Sequence, residues 1–589
     1  AQQENQNIDQ EKSQEKINLQ QSSIDKAQKF SRIDGKLDHQ YNKDATQSNE
    51  GIASENVSEQ HITAKDAGVT RNNRGDERLN QEKSTTSSDK ELKVDDIDKD
   101  LSTKESPENE KDDSRKGIKF SYQVLVDIDP TDKELKRIKN ADRFEFRESK
   151  IEINNPPKEV SIIGAGPSGL FTAYILAQNG VKVKVYERGE AIEDRIKTIE
   201  SFKETGKLNP ESNIQFGEGG AGTYSDGKLT ARSKDPRVRM VLETFHKHGA
   251  PDDIMIDAKP HIGTDLLRDV IINIREEIKS YGGEFYFSHH LDDINISDNG
   301  VENITINGNK SQSDSYVLAI GHSARDTFEM LSSKIKMENK NFAVGFRIEH
   351  KRTTINDAQY NGKKTDIEGN ELPAASYNLS YNDKESGLSA YTFCMCPGGY
   401  VVNASSEENM TCVNGMSYHD RDGENSNAAL IVTIGEEIYG SNLLDGMRFQ
   451  REIEKKAYKL GDEKVPVQKF IDFKKDITTK ELGEIKPSVE SSYKLSNLRG
   501  LYPAIIDEMV IGGIEYMGKR LKGFSDDDAI LSGVETRSSS PIRMIRDKEN
   551  KSLGLNNLYV VGEGSGHAGG IVSSAVDGIR TAEAILSRI

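Results

Sequence analysis

The sequence predicts an α/β protein in which a parallel-sheet domain is interrupted by an inserted α+β domain and preceded by a long polar tail. Three observations predict this fold class. A strand–glycine–helix–strand pattern occupies residues 158–187, and a strand–glycine–helix pattern ends the chain at 557–589. The composition also changes abruptly near residue 117.

The first 117 residues are mostly Gln, Asn, Lys, Glu, Asp and Ser, with few aromatic or branched apolar side chains. Such a segment cannot bury enough apolar surface to offset the entropy of ordering its backbone, so we expect 1–117 to be a disordered acidic and polar tail. Residues 118–157 alternate as strands around a helix with a capping box, which predicts a small β-α-β element. The rest of the chain is long enough for two or three domains.

The net charge of −18 argues against a general nucleic-acid or anionic-membrane binder. No apolar run approaches the ~18 residues that span a bilayer. Three cysteines make no disulfide framework, and the histidines lack metal-ligand spacing, so we expect no metal site. We expect a soluble, intracellular protein of the cytoplasm or of an organelle such as a plastid or mitochondrion. The oligomeric state is left open.

The segment KEVSIIGAGPSGLFTAYILAQNGVKVKVYERGE carries a dinucleotide-binding pattern. A buried strand runs directly into G-x-G-x-x-G, a helix follows, and the next strand closes on Glu187, 18 residues beyond Gly169. The glycines permit a tight turn and close approach of a pyrophosphate, the helix N-terminus offers free amides to phosphate, and Glu187 would bind ribose hydroxyls. The predicted contacts of this Rossmann unit are Gly164, Gly166, Pro167, Ser168, Gly169, Glu187 and Arg188.

The C-terminus indicates FAD rather than NAD. A late strand delivers an acidic residue, a glycine cluster follows, and a helix ends the chain. FAD enzymes of the glutathione-reductase-like class have this arrangement, in which the acid reaches the ribitol and the helix dipole faces the flavin N1–C2=O edge. The stretch SDSYVLAIG resembles the strand that returns the chain beneath FAD. The predicted contacts here are Gly321, Gly562, Glu563, Gly569, Gly570 and Ile571.

The stretch NIQFGEGGAGTYSDGKLT, residues 213–230, also matches G-x-G-x-x-G. No buried strand precedes it and turn residues rather than a helix follow it, so it is not a second nucleotide fingerprint. We expect it to line the flavin, with Asp226 and Lys228 towards the substrate. Its predicted cofactor contacts are Gly217, Gly219, Gly220 and Gly222.

These motifs, together with GFRIEH, CMCPGGYVVNASSE and SGVETRSSSPIR, resemble those of the uncharacterised FAD-dependent dehydrogenases, which are relatives of the geranylgeranyl reductases. The likeness runs from about Ile118 to the end. It implies a glutathione-reductase-like fold, bound FAD and oxidoreductase chemistry, but no substrate. The predicted FAD domain is discontinuous, at 158–340 and 531–589, with a substrate or cap domain at 341–530.

The candidate catalytic residues are His567, Asp226 and Arg537. His567 suits proton transfer beside the flavin or simple ring packing. Arg537 suits recognition of a carboxylate or phosphate, or ion pairing between domains. Cys394 and Cys396 are either a redox pair or buried core thiols, and the sequence near them shows no group that would activate a thiol.

The sequence therefore predicts an FAD-dependent oxidoreductase that transfers a hydride between FAD and an unidentified small molecule. Only one complete adenine–ribose signature exists, so NAD(P)H, as a transient donor, would dock without a Rossmann domain of its own. The alternative is a binding or scaffold flavoprotein with little activity. A tRNA-modifying flavoprotein is disfavoured because no basic stripe is present.

Overall fold

The computed structural model describes residues 151–587, apart from 232, 299, 367 and 368, together with four short strands before residue 151. These are β1 (Gln40–Tyr41), β2 (His61–Thr63), β3 (Phe120–Ser121) and β4 (Gln123–Leu125). β1 pairs antiparallel with β3, and β2 pairs parallel with β4. Apart from these strands, the predicted tail and most of the predicted element at 118–157 lie outside the described residues.

The strands between residues 151 and 587 are, in chain order, β5 (Glu159–Ile163), β6 (Lys182–Tyr186), β7 (Glu284–Tyr286), β8 (Leu291–Ser297), β9 (Gly300–Ile306), β10 (Asn309–Ser311), β11 (Ser315–Leu318), β12 (Met337–Asn339), β13 (Phe342–Lys351), β14 (Ser380–Asn382), β15 (Ser389–Cys396), β16 (Tyr400–Asn403), β17 (Val413–Met416), β18 (Asn425–Ile434), β19 (Val465–Lys469), β20 (Tyr493–Leu495), β21 (Ile530–Glu535), β22 (Ile542–Met544) and β23 (Leu558–Val560).

The α-helices of the same region are, in chain order, α1 (Pro167–Gln178), α2 (Ile192–Thr205), α3 (Arg237–Lys247), α4 (Gly263–Ser280), α5 (Arg325–Leu331), α6 (Arg352–Gln359), α7 (Glu436–Tyr439), α8 (Asp445–Gly461), α9 (Phe470–Lys474), α10 (Ala504–Gly518) and α11 (Ile571–Leu586). Among the residues that the structure describes, no helix combines the length and apolar character needed to cross a membrane.

A five-stranded parallel sheet, in the order β23-β11-β5-β6-β7, forms the Rossmann-like unit. Its strands are short apolar runs because both faces are covered. One face packs against α1, α4 and α11, and the other against α5 and the antiparallel sheet β10-β9-β8. The predicted α/β fold class is confirmed.

The inserted part of the chain forms a second sheet of seven strands, in the order β14-β15-β18-β13-β21-β19-β20. The chain enters through β13 and leaves through β21, and these two strands pair antiparallel near the middle of the sheet. β21 ends at Glu535, so this sheet continues past residue 530, where the sequence predicts the boundary.

A buried ion-pair cluster joins this sheet to the segment after β11. The Glu454 carboxylate on α8 accepts two hydrogen bonds from Arg325 and two from Arg537, at 2.8–3.0 Å. The Thr536 hydroxyl donates to the same carboxylate at 2.6 Å. Burial alone would raise the pKa of Glu454, but the two arginines hold it well below its usual range. Glu454 therefore stays ionised and holds two buried guanidinium groups together.

We expect Glu454→Gln to lower the free energy of unfolding by about 3 kcal/mol, the lower end of the range for breaking a buried pair, because it removes the carboxylate that both buried guanidinium groups share and leaves them beside the partly exposed Glu407. Urea denaturation measures this. The matched control is Glu452→Gln on the same helix, since Glu452 is exposed and pairs only with Lys456. That change should shift stability by about 0.5 kcal/mol or less. Equal unfolding midpoints for the two variants would contradict the role assigned to the cluster.

Candidate functional site

Four segments leave the parallel sheet at its carboxyl edge. Gly164 follows β5, Glu187 follows β6, Gly321 lies shortly after β11, and Glu563 lies shortly after β23. All the strand pairs are parallel, so these ends lie on one edge. The strand order reverses between β5 and β11, and the crevice at such a reversal is where open α/β sheets bind ligands.

The loop after β5 has the form that its sequence predicts. Gly164 has φ +107°, and a Cβ there would collide with the carbonyl oxygen of Ala319, so only glycine fits. A Cβ on Gly169 would collide with the Gly164 carbonyl. Gly166 differs, because a Cβ there would meet no atom closer than 3.8 Å. Pro167 opens α1, where its missing N–H is not needed. The loop therefore has no room for a Cβ at Gly164, whereas a Cβ would fit at Gly166.

Ser168, also a predicted contact, lies beneath this loop. Its backbone carbonyl accepts a hydrogen bond from the Thr172 hydroxyl at 2.7 Å, and Gly578 of α11 packs against the same carbonyl. Its hydroxyl lies against Gly562, the residue that follows β23 closely. Ser168 is 5 % exposed. It therefore packs α1 against the C-terminal part of the chain.

Glu187 ties three backbone segments together. Its carboxylate accepts hydrogen bonds from the amides of Ala165 at 2.8 Å, Gly189 at 3.0 Å and Gly217 at 3.0 Å. A carboxylate has about four acceptor positions, so about one is left for a ribose hydroxyl. The residue that the sequence assigns to ribose binding is therefore also a structural anchor of the crevice.

Arg188, the next residue, is engaged by other side chains. Its guanidinium donates to Glu211 and Asp326 at 3.0–3.2 Å and lies 4.2 Å from the ring centroid of Phe216. The predicted contact of Arg188 with the cofactor stays a prediction, and the structure gives it a second task in fixing the segment around residue 211.

Arg195 holds the loop at 213–220 in place, and the sequence analysis missed it. Its fully buried guanidinium donates to the backbone carbonyls of four loop residues and lies 4.9 Å from the Tyr224 ring. The carbonyls belong to Asn213, Ile214, Glu218 and Gly220, at 2.6–3.0 Å. A signal was present: Arg195 shares the buried face of α2 with Ile192, Ile199 and Phe202. A charge on an apolar helix face needs buried partners.

The loop at 217–222 lies between the starts of α1 and α11. A Cβ on Gly220 would lie 3.2 Å from the Gly166 Cα. One on Gly222 would lie 2.9 Å from Ile571 and 3.9 Å from Pro167, the first residues of the two helices. Gly219 donates its amide to the Ala165 carbonyl at 2.8 Å. The second glycine motif therefore borders the first instead of forming a separate nucleotide loop.

The segment after β23 completes the crevice. Glu563 lies 3.4 Å from Nδ1 of His322, which follows Gly321. The Nε2 atom of His322 is buried without a hydrogen-bond partner. A Cβ on Gly569 would have no neighbour within 4 Å, and one on Gly570 only Ser573 at 3.7 Å. α11 begins directly afterwards, so its first free amides open on the same space.

These residues fit FAD. Gly321 and Gly569 leave space that no described protein atom fills, and at Gly166 a Cβ would meet only the Gly220 Cα, at the ordinary contact distance of 3.8 Å. The first turns of α1 and α11 have backbone amides suited to phosphate and to an electron-rich ring edge. The unpartnered Nε2 of His322 offers a further polar contact. The donors and the open glycines together match a nucleotide with a flavin.

The structure places Asp226 in a buried ion-pair group. Its carboxylate accepts hydrogen bonds from Ser417 and Arg421, each at 2.5 Å, and lies 3.3 Å from the Lys228 ammonium. Burial alone would raise its pKa, but Lys228 and Arg421 hold the pKa well below its usual range. Asp226 is therefore a fixed negative charge and not a proton donor near neutral pH.

Arg537 is also committed to protein partners. It makes the bidentate pair with Glu454 and donates to the Ser406 hydroxyl, and it is 7 % exposed. This placement favours the ion-pairing alternative over recognition of an anionic substrate. The partner lies 83 residues away in sequence, which is why the local pattern could not reveal it.

His567 alone among the three catalytic candidates is exposed. Its Nε2 lies 3.0 Å from the Met544 carbonyl, which can only accept, so Nε2 carries the proton and Nδ1 is free to accept one. Burial lowers the pKa of His567, so the ring is neutral at pH 7. A proton moved by this ring would be taken up at Nδ1.

The thiols lie where Lys228 reaches the second sheet. The Lys228 ammonium donates to the carbonyl of Met395, between Cys394 and Cys396. The Arg347 guanidinium donates to the Cys394 carbonyl at 3.2 Å and lies 3.9 Å from the Cys396 sulfur. The sequence near these thiols shows no activating group because both cations come from distant parts of the chain.

Two family models match the chain. One, described as an NAD(P)-binding Rossmann-like domain, covers residues 162–207, and one described as an FAD-dependent protein, C-terminal domain-like, covers 341–538. An uncharacterized protein of Clostridium beijerinckii is 45 % identical over 480 residues, which are 80 % of this chain and 90 % of that protein. An L-amino acid oxidase of Bothrops pictus is 41 % identical over 61 residues, or 10 % of this chain and 12 % of its own.

Among solved structures, L-proline dehydrogenase from P. horikoshii matches with 10 % identity and a TM-score of 0.30, over 73 % of this chain and 93 % of its own. Glycine oxidase from Bacillus cereus matches with 12 % identity and a TM-score of 0.28, over 73 % and 99 %. The family models and the long match to the Clostridium protein agree with the geometry of the crevice. The chain therefore belongs with that protein to one family, a family of FAD-dependent proteins, and its cofactor is FAD.

Proposed function

We propose that this protein transfers a hydride between FAD, bound at the carboxyl edge of the parallel sheet, and a small-molecule substrate, with NAD(P)H as a transient donor. The observation that carries the proposal is the meeting of two helix N-termini, at Pro167 and Ile571, on either side of the glycine loop at 217–222. A site that held only the adenine nucleotide part of FAD would need only the helix N-terminus at Pro167.

The chain's own residues divide the binding task. The first turn of α1 would hold the pyrophosphate through free amides, and Glu187 would hold a ribose hydroxyl with its remaining acceptor position. Glu563, held near His322, is the candidate for the ribitol hydroxyls. When bound, FAD supplies the hydride-accepting and hydride-donating chemistry.

The first turn of α11 would lie beside the flavin ring, the reactive part of FAD. Its free amides and partial positive charge would stabilise negative charge on a reduced ring, by about 1 kcal/mol or somewhat more when partly buried. His567, when protonated at Nδ1, would donate that proton beside the ring to the group that accepts the hydride, since Nε2 is held by the Met544 carbonyl. The glycine loop at 217–222 would keep one side of the ring free of side chains.

The nicotinamide would dock without a second Rossmann unit. Among the described residues between 151 and 587, β23-β11-β5-β6-β7 is the only sheet in which every strand pair is parallel. NAD(P)H would therefore reach the flavin from the side of the seven-stranded sheet. This supports a brief encounter rather than a tightly held second dinucleotide.

We expect the purified full-length protein to carry FAD and to show flavin absorption in the visible range, and we expect anaerobic NADH or NADPH to bleach it. Spectrophotometry and release of FAD on denaturation measure both. A protein that binds no added FAD would contradict the cofactor assignment. Bound FAD that neither nicotinamide bleaches would leave direct oxidation of a substrate or a scaffold role.

Gly166→Val tests the site at the point where the structure has room. The new side chain meets little in the protein itself but fills space that the pyrophosphate needs, so we expect FAD affinity to fall about 10- to 100-fold, as overpacking of about 1–3 kcal/mol implies. Fluorescence titration of the apoprotein with FAD measures the affinity.

The control for that variant is Gly512→Ala on α10, where a Cβ makes ordinary contact with Tyr381 at 3.4 Å or more. It should bind FAD as the parent does. A Gly166→Val protein with unchanged FAD affinity and unchanged melting temperature would place the cofactor elsewhere.

Hydride transfer from NAD(P)H leaves the reduced ring one proton short, so we expect His567→Gln to lower the rate of flavin reduction at low pH about 100-fold, the lower end of the range for proton transfer by a positioned side chain. Because only the protonated ring can donate and the pKa of His567 lies below its usual value, the parent rate should fall as pH rises through the range below about 6.5 and level off above it. The variant should lack this fall. The matched control is His246→Gln, a surface histidine paired with Asp252. A parental pH profile in His567→Gln would remove the ring from the chemistry.

A further inference from the structure

The two cysteines of β15 lie in a distorted part of the strand. From Phe393 to Cys396, β15 advances three residues while its partner β18 advances two, so one extra residue bulges out. Cys394 in the bulge has φ +43°, uncommon for a residue with a side chain. The Cys396 sulfur lies 3.3 Å from the Cys394 carbonyl. The bulge therefore places the Cys396 thiol directly beside the backbone of Cys394.

The bulge matters because C-x-C is a long spacing in a regular strand. Two residues of extended strand span about 6.8 Å, the upper limit of Cα separation for a disulfide. A bulge shortens this path and re-aims the side chains. The Cys396 thiol donates a hydrogen bond to the Cys394 carbonyl, which brings its sulfur to 3.3 Å from the backbone of its partner. The bulge therefore reduces the strain that this spacing would otherwise place on a Cys394–Cys396 bond.

Charged groups from three other segments surround the pair. Lys228 comes from the loop at 213–230, Arg347 from β13 and Glu535 from β21. The neighbouring Cys396 side chain lowers the pKa of Cys394 most, and Lys228 and Arg347 lower it further, against the effect of burial. The Cys394 side chain and burial raise the pKa of Cys396. Cys394 is therefore the thiol of the pair that ionises first.

The two thiols differ in solvent exposure. A thiol that attacks an external disulfide must be exposed, whereas the thiol that then resolves the mixed disulfide can be buried. Cys394 is partly exposed, next to Phe393, which is 39 % exposed, whereas Cys396 is buried. Cys412 is a reference for an inert thiol, because it is buried, donates to the Ala404 carbonyl at 3.1 Å and has its pKa raised to about 12 by burial.

We propose that Cys394 and Cys396 are a redox-active dithiol that reduces a small disulfide. The Cys394 thiolate attacks one sulfur of the disulfide, forms a mixed disulfide and expels the other half as a thiolate. Cys396 then gives its proton to that product and attacks the Cys394 sulfur, which closes the Cys394–Cys396 bond and expels the second thiolate. Two electrons pass from the pair to the external disulfide, and FAD takes no part, so the proposal stands apart from hydride transfer.

The test uses the reduced full-length protein with oxidised glutathione, followed by alkylation and peptide mass spectrometry. The parent should lose two of its three free thiols and show a Cys394–Cys396 link. Cys396→Ser should stop at one glutathione on Cys394, and Cys394→Ser should keep Cys396 reduced. The control Cys412→Ser should behave as the parent does. FAD content and thermal unfolding report whether each variant is folded.

Retention of all three thiols in the folded parent under excess oxidised glutathione would overturn the proposal, as would glutathione on Cys412 alone.

A second measurement tests whether Lys228 activates the Cys394 thiol. Lys228→Met should slow alkylation of Cys394 by iodoacetamide about tenfold when the pH lies well below the pKa of Cys394. Under that condition, a rise of one unit in this pKa lowers the fraction of reactive thiolate about tenfold. Lys228→Arg should restore most of the rate. Equal rates in all three proteins would exclude Lys228 as the activating charge.

Discussion

The crevice depends on the buried carboxylate of Glu187, which collects the amides of Ala165, Gly189 and Gly217 at one point. Arg195 performs the complementary task by donating to the carbonyls of the loop at 213–220. Replacing either side chain would lower stability, because each one satisfies several buried backbone groups that would otherwise lose their hydrogen-bond partners. Two oppositely charged side chains thus fix a loop that has almost no regular secondary structure.

The first glycine loop could be predicted because the strand, glycines, helix and acid that make up its pattern all lie within about 30 residues. The fold class and FAD followed from the same pattern and its counterpart near Ile571, and both are confirmed. The loop at 213–230 was recognised as different because it lacks the flanking strand and helix. Its contact with Gly166 and Ile571 now gives that distinction a physical basis.

The catalytic candidates were harder to predict because a charged residue does not reveal its partner. Asp226 meets Arg421 across 195 residues, and the predicted anion-binding Arg537 is held by Glu454. The same limitation hid the setting of Cys394, since Lys228 reaches its strand from 167 residues away. Sequence spacing predicts local backbone shape well, but long-range pairing is decided by how the two sheets pack.

The seven-stranded sheet is entered by β13 and left by β21, which are hydrogen-bonded neighbours, with Gly345 opposite Glu535. The chain therefore departs and returns about one strand spacing apart, near 5 Å. A cut at these two positions leaves ends that a very short linker can join. The insertion therefore begins and ends at neighbouring points, so it can change in length without moving the two places where the chain rejoins the parallel-sheet part.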